Sequence, residues 1–197
     1  RRLATDGANV VLTYIGPEHD AQSVVGEITD AGGVASAVLA DASRPGVGTA
    51  AVAETVARHG GLDIVVNNAG VMLMRHLGDT DDDAYSTTFD VNVRGPLELV
   101  RAAAAEMGDG GRIVVISATI ANDMFAPGLA LYGASKAAVN AFVQGWSRDL
   151  GPRGITVNAV VPGPIDTDMN PADSELADHL RSMMAIPRYG TPDEVAA

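Results

Sequence analysis

The residues best placed to do chemistry are in the run Tyr132-Gly133-Ala134-Ser135-Lys136. On a helix, positions i and i+4 share a face, so a Lys ammonium can stand beside a Tyr phenol. A neighbouring positive charge favours phenolate and draws the phenol down from its usual pKa of about 10. Tyr132 then becomes a usable general acid or base, with Lys136 as the charge that tunes it. The plainer reading is a solvated Lys next to a half-buried Tyr. Composition speaks against that reading, because Lys136 is the only Lys among 13 Lys and Arg residues. A site that wants a compact ammonium, where a guanidinium will not serve, leaves that pattern.

Two further spots follow apolar runs. Asn67-Asn68-Ala69-Gly70 comes after the run 62–66; small residues there let a ligand approach the backbone closely, although a simple strand-to-loop turn has the same composition. Asp41 comes after Val34–Leu39 and is suited either to capping the next helix or to accepting a hydrogen bond from a base amino group.

These positions need a frame to hold them. Short Val- and Ile-rich runs at Asn9–Tyr14, Val34–Leu39, 62–66, 112–117 and 155–161 read as buried strands bounded by Gly, Asp or Asn. Helical patterns fill 18–31, Val47–His59, 81–107 and 131–150. Thr80 with Asp83, and Thr191 with Glu194 behind Pro192, have the form of capping boxes. The acidic cluster Asp79, Asp81, Asp82 and Asp83 then reads as a solvated helix start that complements the macrodipole. Alternation of this kind predicts an α/β fold with a doubly wound parallel sheet, and ligands on such sheets bind beyond the carboxyl ends of the strands.

Composition narrows the function. The net charge of −12 repels phosphate backbones and anionic lipid, so no nucleic-acid or membrane partner is expected. With Cys 0, thiol catalysis, disulfides and Cys-ligated metals are excluded. No run approaches the roughly 18–20 apolar residues that a membrane span needs, and no signal peptide opens the chain; a soluble, cytoplasmic protein is expected. His19, His59, His76 and His179 show no metal-ligand spacing and read as surface residues. Gly145-Trp146-Ser147 lies within a helical pattern and lacks the second Gly of a hydrolase elbow. Met72, Leu73, Met74, Met124, Phe125, Met169, Met183 and Met184 cluster in or after post-strand loops, and about half are expected to line an apolar, adaptable pocket.

Taken in order, five features resemble the short-chain dehydrogenase/reductase family: Asn67 to Gly70, Asn92 in Asp90-Val91-Asn92-Val93, the strand from Gly111 to Ser117, the Tyr132/Lys136 pair, and Pro162-Gly163-Pro164-Ile165-Asp166-Thr167. The resemblance covers essentially the whole chain and implies a single NAD(P)-binding Rossmann-like domain over 1–197. It implies that Tyr132 gives a proton to a carbonyl reduced by hydride. Lys136 would lower the Tyr pKa and bind the nicotinamide ribose, and Asn92 would hold a water in the proton relay while interrupting its long helix. Asp41 would contact adenine. Asn67, Ala69 and Gly70 would line the adenosine and ribose; Pro162, Gly163, Ile165 and Thr167 would cradle the nicotinamide. The run Thr13-Tyr14-Ile15-Gly16 has no acid to bind a ribose 2′-hydroxyl, which favours NADP(H) over NAD(H). A homodimer or homotetramer through 81–107 and 131–150 is implied in the same way. The substrate would be a small carbonyl or alcohol, apolar or of 3-oxoacyl type.

The chain departs from the family pattern in two ways. Residues 1–7 resemble the end of the helix that follows the family's Gly-rich turn, so that turn and its strand are expected before Arg1, and the family's last strand beyond Ala197. The carbonyl-polarising Ser is also displaced. Counting forward from Gly111 puts Ala118 at its position; counting back from Tyr132 gives Thr119; Ser117 is the other neighbour. Thr119 is the preferred candidate, since its hydroxyl can donate the same hydrogen bond. Ala118, with Asp123-Met124 and the stretch 162–172, also resembles a branch of the family that binds cyclic di-GMP, which implies the alternative of a weakly catalytic or non-catalytic nucleotide binder.

Overall fold

The computed structural model describes all of residues 1–197. Runs of branched Val and Ile, which suit a pleated and buried surface, form β1 (Asn9–Tyr14), β2 (Val34–Leu39), β3 (Ile64–Asn67), β4 (Arg112–Ile116) and β5 (Thr156–Val160). Between and around them run α1 (Arg2–Thr5), α2 (Glu18–Asp30), α3 (Val47–His59), α4 (Asp82–Phe89), α5 (Gly95–Glu106), α6 (Ala130–Leu150), α7 (Ala177–Met183) and α8 (Pro192–Ala196). Every strand pairing is parallel, as the α/β alternation requires. No helix is long and apolar enough to cross a membrane.

The strands divide into two leaves, β1–β2 and β3–β4–β5, with no hydrogen bond between them. The larger leaf carries the core: Val65, Ile113, Val115 and Val157 from its strands meet Val100 and Ala103 of α5, Val52 of α3, and Val139 and Val143 of α6. Burying each such side chain stabilises the fold by about 1.5–3 kcal/mol. The smaller leaf is covered mainly by α2, and no residue of β1 or β2 is fully buried. Packing of α3 on α5 joins the two leaves. Gly48 makes that approach possible, because a Cβ there would lie 2.9 Å from the Leu99 backbone nitrogen. Two hydrogen bonds reinforce the joint: Arg94 donates to the Ser43 carbonyl at 2.6 Å, and Gly46 N–H donates to Glu98 Oε2 at 2.8 Å.

The helix expected over 81–107 is interrupted at Asn92, as the resemblance implies, by a π-turn at Asp90–Arg94 that sets Asn92 inward. The expected cap of α4 needs correction. Asp81 caps α4, accepting from Ala84 N–H at 2.7 Å. Thr80, expected to cap it, instead donates from its hydroxyl to the His76 carbonyl, which leaves the next residue, Asp81, to cap the helix. The box at Thr191 and Glu194 forms as expected.

Candidate active site

The carboxyl ends of β3, β4 and β5 deliver three loops to one side of the larger leaf, and the start of α6 closes over them. Between them lies an open cleft of about 180 Å³, lined by Tyr132, Ser117, Ala118, Thr119, Pro162, Gly163, Ile165 and Thr167 together with apolar side chains. Met72, Met74, Phe125 and Met169 are among those apolar residues. Met184 packs instead on the cluster around Leu180, and Met124 lies against Gly133. About half of the residues expected at a pocket are therefore there.

Tyr132 and Lys136 share the inward face of α6 with Val139 and Val143, so the core that fixes the helix also fixes the pair. Lys136 Nζ stands 5.7 Å from the centroid of the Tyr132 ring. Its ammonium donates to the Ile116 carbonyl at 2.9 Å. In the ligand-free protein burial raises the Tyr132 pKa above its ordinary value, and burial lowers Lys136 to about 8.

Asn92 is 1% exposed, and its carboxamide is held by the protein. Oδ1 accepts from Val71 N–H at 2.8 Å, and Nδ2 donates to the Val71 carbonyl at 2.9 Å and to Ser135 Oγ at 3.0 Å. Ser135 in turn donates to the Tyr132 carbonyl at 2.7 Å. The side chain expected to hold a water therefore ties the loop after β3 to the helix that carries Tyr132. Gly70 fits beside it, because a Cβ there would come within 3.4 Å of both Asn92 Oδ1 and Lys136 Nζ. Asn92→Leu is expected to destabilise the fold by about 2–4 kcal/mol, since both backbone groups of Val71 lose their partner. Urea unfolding measures this, and an unchanged midpoint would mean that the loop holds itself.

The three positions around the displaced Ser behave differently. Ser117 is 3% exposed and its hydroxyl faces the Lys136 carbonyl at 3.4 Å. Ala118 lines the cleft with a methyl group. Thr119 is exposed at the cleft, anchored by its N–H on the Pro162 carbonyl at 3.0 Å. Asp41 does not join this group. It caps no helix: its carboxylate accepts from Ser43 N–H at 2.9 Å and Ser43 Oγ at 2.6 Å, and those bonds hold its pKa below the ordinary value. α3 starts later, at a left-handed Gly46.

The sequence model of the enoyl-(acyl carrier protein) reductase family matches residues 1–197. The chain belongs to the short-chain dehydrogenase/reductase family. A crystal structure of a short-chain dehydrogenase from Burkholderia cenocepacia J2315 in complex with NADP superposes with a TM-score of 0.97 at 48% identity, over 99% of this chain and 80% of that one. The cyclic-di-GMP-binding biofilm dispersal mediator protein of Escherichia coli K12 is 41% identical over 196 residues, 100% of this chain and 79% of its own length. A probable tetrahydroxynaphthalene reductase of Zymoseptoria tritici is 35% identical over 207 residues, 98% of this chain and 78% of its own length.

In this short-chain dehydrogenase/reductase, Ser135, Asn170, Leu176 and Leu180 also bear on the site, with no role for any of them signalled by sequence alone. The i, i+4 spacing of Leu176 and Leu180 signals an apolar helix face, but nothing local says that it faces a cleft. No cluster of His, Asp or Glu could hold a metal ion. Three of the four His residues are exposed as expected; His59 is half-buried, with Nε2 buried and unpartnered.

Proposed function

We propose that the chain is an NADP(H)-dependent oxidoreductase that interconverts a ketone and a secondary alcohol on an apolar substrate. The observation that carries this is the Tyr132/Lys136 pair on one fixed helix face, with the phenol opening onto a cleft lined mainly by apolar side chains. The cofactor suits the residues present. Lys136 uses one of its three N–H groups on Ile116, leaving donors beside Gly70 for ribose hydroxyls, and the loop from Pro162 to Thr167 lies open along the cleft. Asn67, buried at the end of β3, and the exposed Ala69 lead the chain into Gly70. Asp41 meets adenine only by giving up part of its bonding to Ser43. The exposed end of β1 at Ile15 has no carboxylate to reject a 2′-phosphate.

When bound, NADP(H) supplies the hydride. Tyr132 holds the proton that the product oxygen takes up, and the positive charge of Lys136 stabilises the phenolate left behind. Asn92 and Ser135 keep the helix and the loop after β3 in register. The apolar walls exclude water. A homodimer or homotetramer through α4, α5 and α6 is part of the proposal, supported by Tyr85, which is 52% exposed on α4; light scattering decides it. NADPH consumption with a panel of apolar ketones and 3-oxoacyl thioesters tests the reductase, and no consumption with any of them would overturn it.

Ala118 favours a second reading, a weakly catalytic nucleotide binder, and the printed name of the Escherichia coli relative makes cyclic di-GMP the ligand to test. The cleft gives that reading no cation to meet two phosphates. Under the reductase reading, Ala118→Ser restores a donor at the reacting carbonyl and raises turnover by up to about 10²–10³-fold. Steady-state kcat measures it. No gain would mean that Thr119 already fills the role.

A further inference from the structure

Asn170 is a polar side chain of the cleft that the proposed reaction does not use. Asn170 stands on the segment between β5 and α7, paired backbone to backbone with Thr167, and lines the cleft that Tyr132 enters from α6. Its Oδ1 faces the Tyr189 hydroxyl in a long contact of 3.4 Å, and Tyr189 is 7% exposed. Arg181 lies over the Tyr189 ring at 5.3 Å and also bonds the Ala172 carbonyl, so the residue that orients Asn170 is itself held. With Oδ1 turned to Tyr189, the two Nδ2 donors of this cleft-lining residue have no partner within the protein.

The surroundings limit what those donors can meet. No Asp, Glu, Lys, Arg or His lines the cleft, so a charged ligand group would lose its hydration with no counter-charge to replace it. A neutral acceptor loses far less and gains a donor already oriented to receive it. An apolar ligand without such an acceptor leaves Asn170 unpaired when water is excluded, and is selected against.

We propose that Asn170 is a specificity-determining residue, and that the substrate is an uncharged ketone carrying a second carbonyl or ether oxygen, which Asn170 binds away from the reacting carbonyl. The inference rests on the oxidoreductase reading above. It goes further by naming a neutral, doubly oxygenated substrate class, and it disfavours thioesters whose carrier arm must bring anionic groups into the cleft.

The test compares a fused bicyclic monoketone, decalone, with the matching decalindione, in the full-length protein with NADP(H) and in the variants Asn170→Ala, Asn170→Asp and Tyr189→Phe. Equilibrium binding is measured by calorimetry and turnover by NADPH consumption. The wild type is expected to bind the dione about three- to tenfold more tightly than the monoketone, as one neutral hydrogen bond allows. Asn170→Ala removes that preference. Asn170→Asp removes it too, although Asp still accepts from Tyr189; a merely structural role for Asn170 would be rescued by Asp. Tyr189→Phe leaves the donors but frees their orientation, and gives a preference between the two. A preference that persists in Asn170→Ala, or returns in Asn170→Asp, overturns the inference. Asn170-dependent preference without turnover of either ketone leaves the inference standing and removes the reductase reading. Turnover without any preference does the reverse.

Discussion

Tyr132→Phe is expected to lower kcat by about 10²–10⁴-fold while leaving NADPH affinity and thermal stability close to those of the parent. The ring is kept, with its contacts to Ile120 and Leu129, and only the hydroxyl is lost. Burial alone already pushes the phenol up, so in the absence of ligand Tyr132 is a protonated acid across the neutral range and ready to reduce a carbonyl. Alcohol oxidation needs the phenolate instead and is expected to gain with rising pH. Fluorescence titration of NADPH beside steady-state rates separates binding from chemistry. Equal rates in the two proteins would remove Tyr132 from the mechanism.

Lys136→Met is expected to do two opposite things. Turnover falls by about 10²-fold or more, because the phenolate loses its nearby positive charge. Stability of the ligand-free protein rises. Lys136 is 5% exposed, and burial lowers its pKa from the ordinary 10.5 to about 8. Below pH 8 both folded and unfolded chains carry the charge, and the folded chain bears the full desolvation penalty. Between about 8 and 10.5 the unfolded chain holds a proton that the folded one has released, so stability rises with pH through that window. Met has a similar shape and no charge. Allowing for the unpaired Ile116 carbonyl, the gain near pH 7 is on the order of 1–2 kcal/mol and shrinks as pH climbs toward the unfolded value. Urea unfolding at several pH values checks this. A less stable variant, or a parent whose stability is flat over that window, would show that the charge is not penalised by its surroundings. A group that destabilises the fold and is kept as the chain's only Lys is retained for what it does to a bound ligand.

Local residue patterns revealed much of this, and tertiary contacts decided the rest. The strands were legible because Val- and Ile-rich runs between Gly and Asn have few other solutions; only their ends moved, as with β3, which runs to Asn67. The Tyr132/Lys136 pairing was legible from helical spacing alone. Which way the ammonium points was not, because it is set by the Ile116 carbonyl on another element. Asn92 was found, but its partner Val71 lies 21 residues away and no local signal joins them. Asp41 was read as a helix cap or adenine contact, when Ser43 and Arg44 close a turn on it first. Asn170 shows in the sequence only as part of the run 162–172, since its place at the cleft depends on a Tyr hydroxyl 19 positions later and on the fold of the segment between β5 and α7.

The span of the proposed cofactor has a thermodynamic consequence. On the proposed placement its adenine end lies near Asp41 after β2 and its nicotinamide end beside Tyr132 on α6, so one ligand ties together elements far apart in the chain. By mass action, a ligand that binds only the folded chain raises the free energy of unfolding by about 2.7 kcal/mol at a hundred times its Kd. Local opening would then track the surrounding nucleotide pool, and the ligand-free protein would be the form most readily cut by proteases.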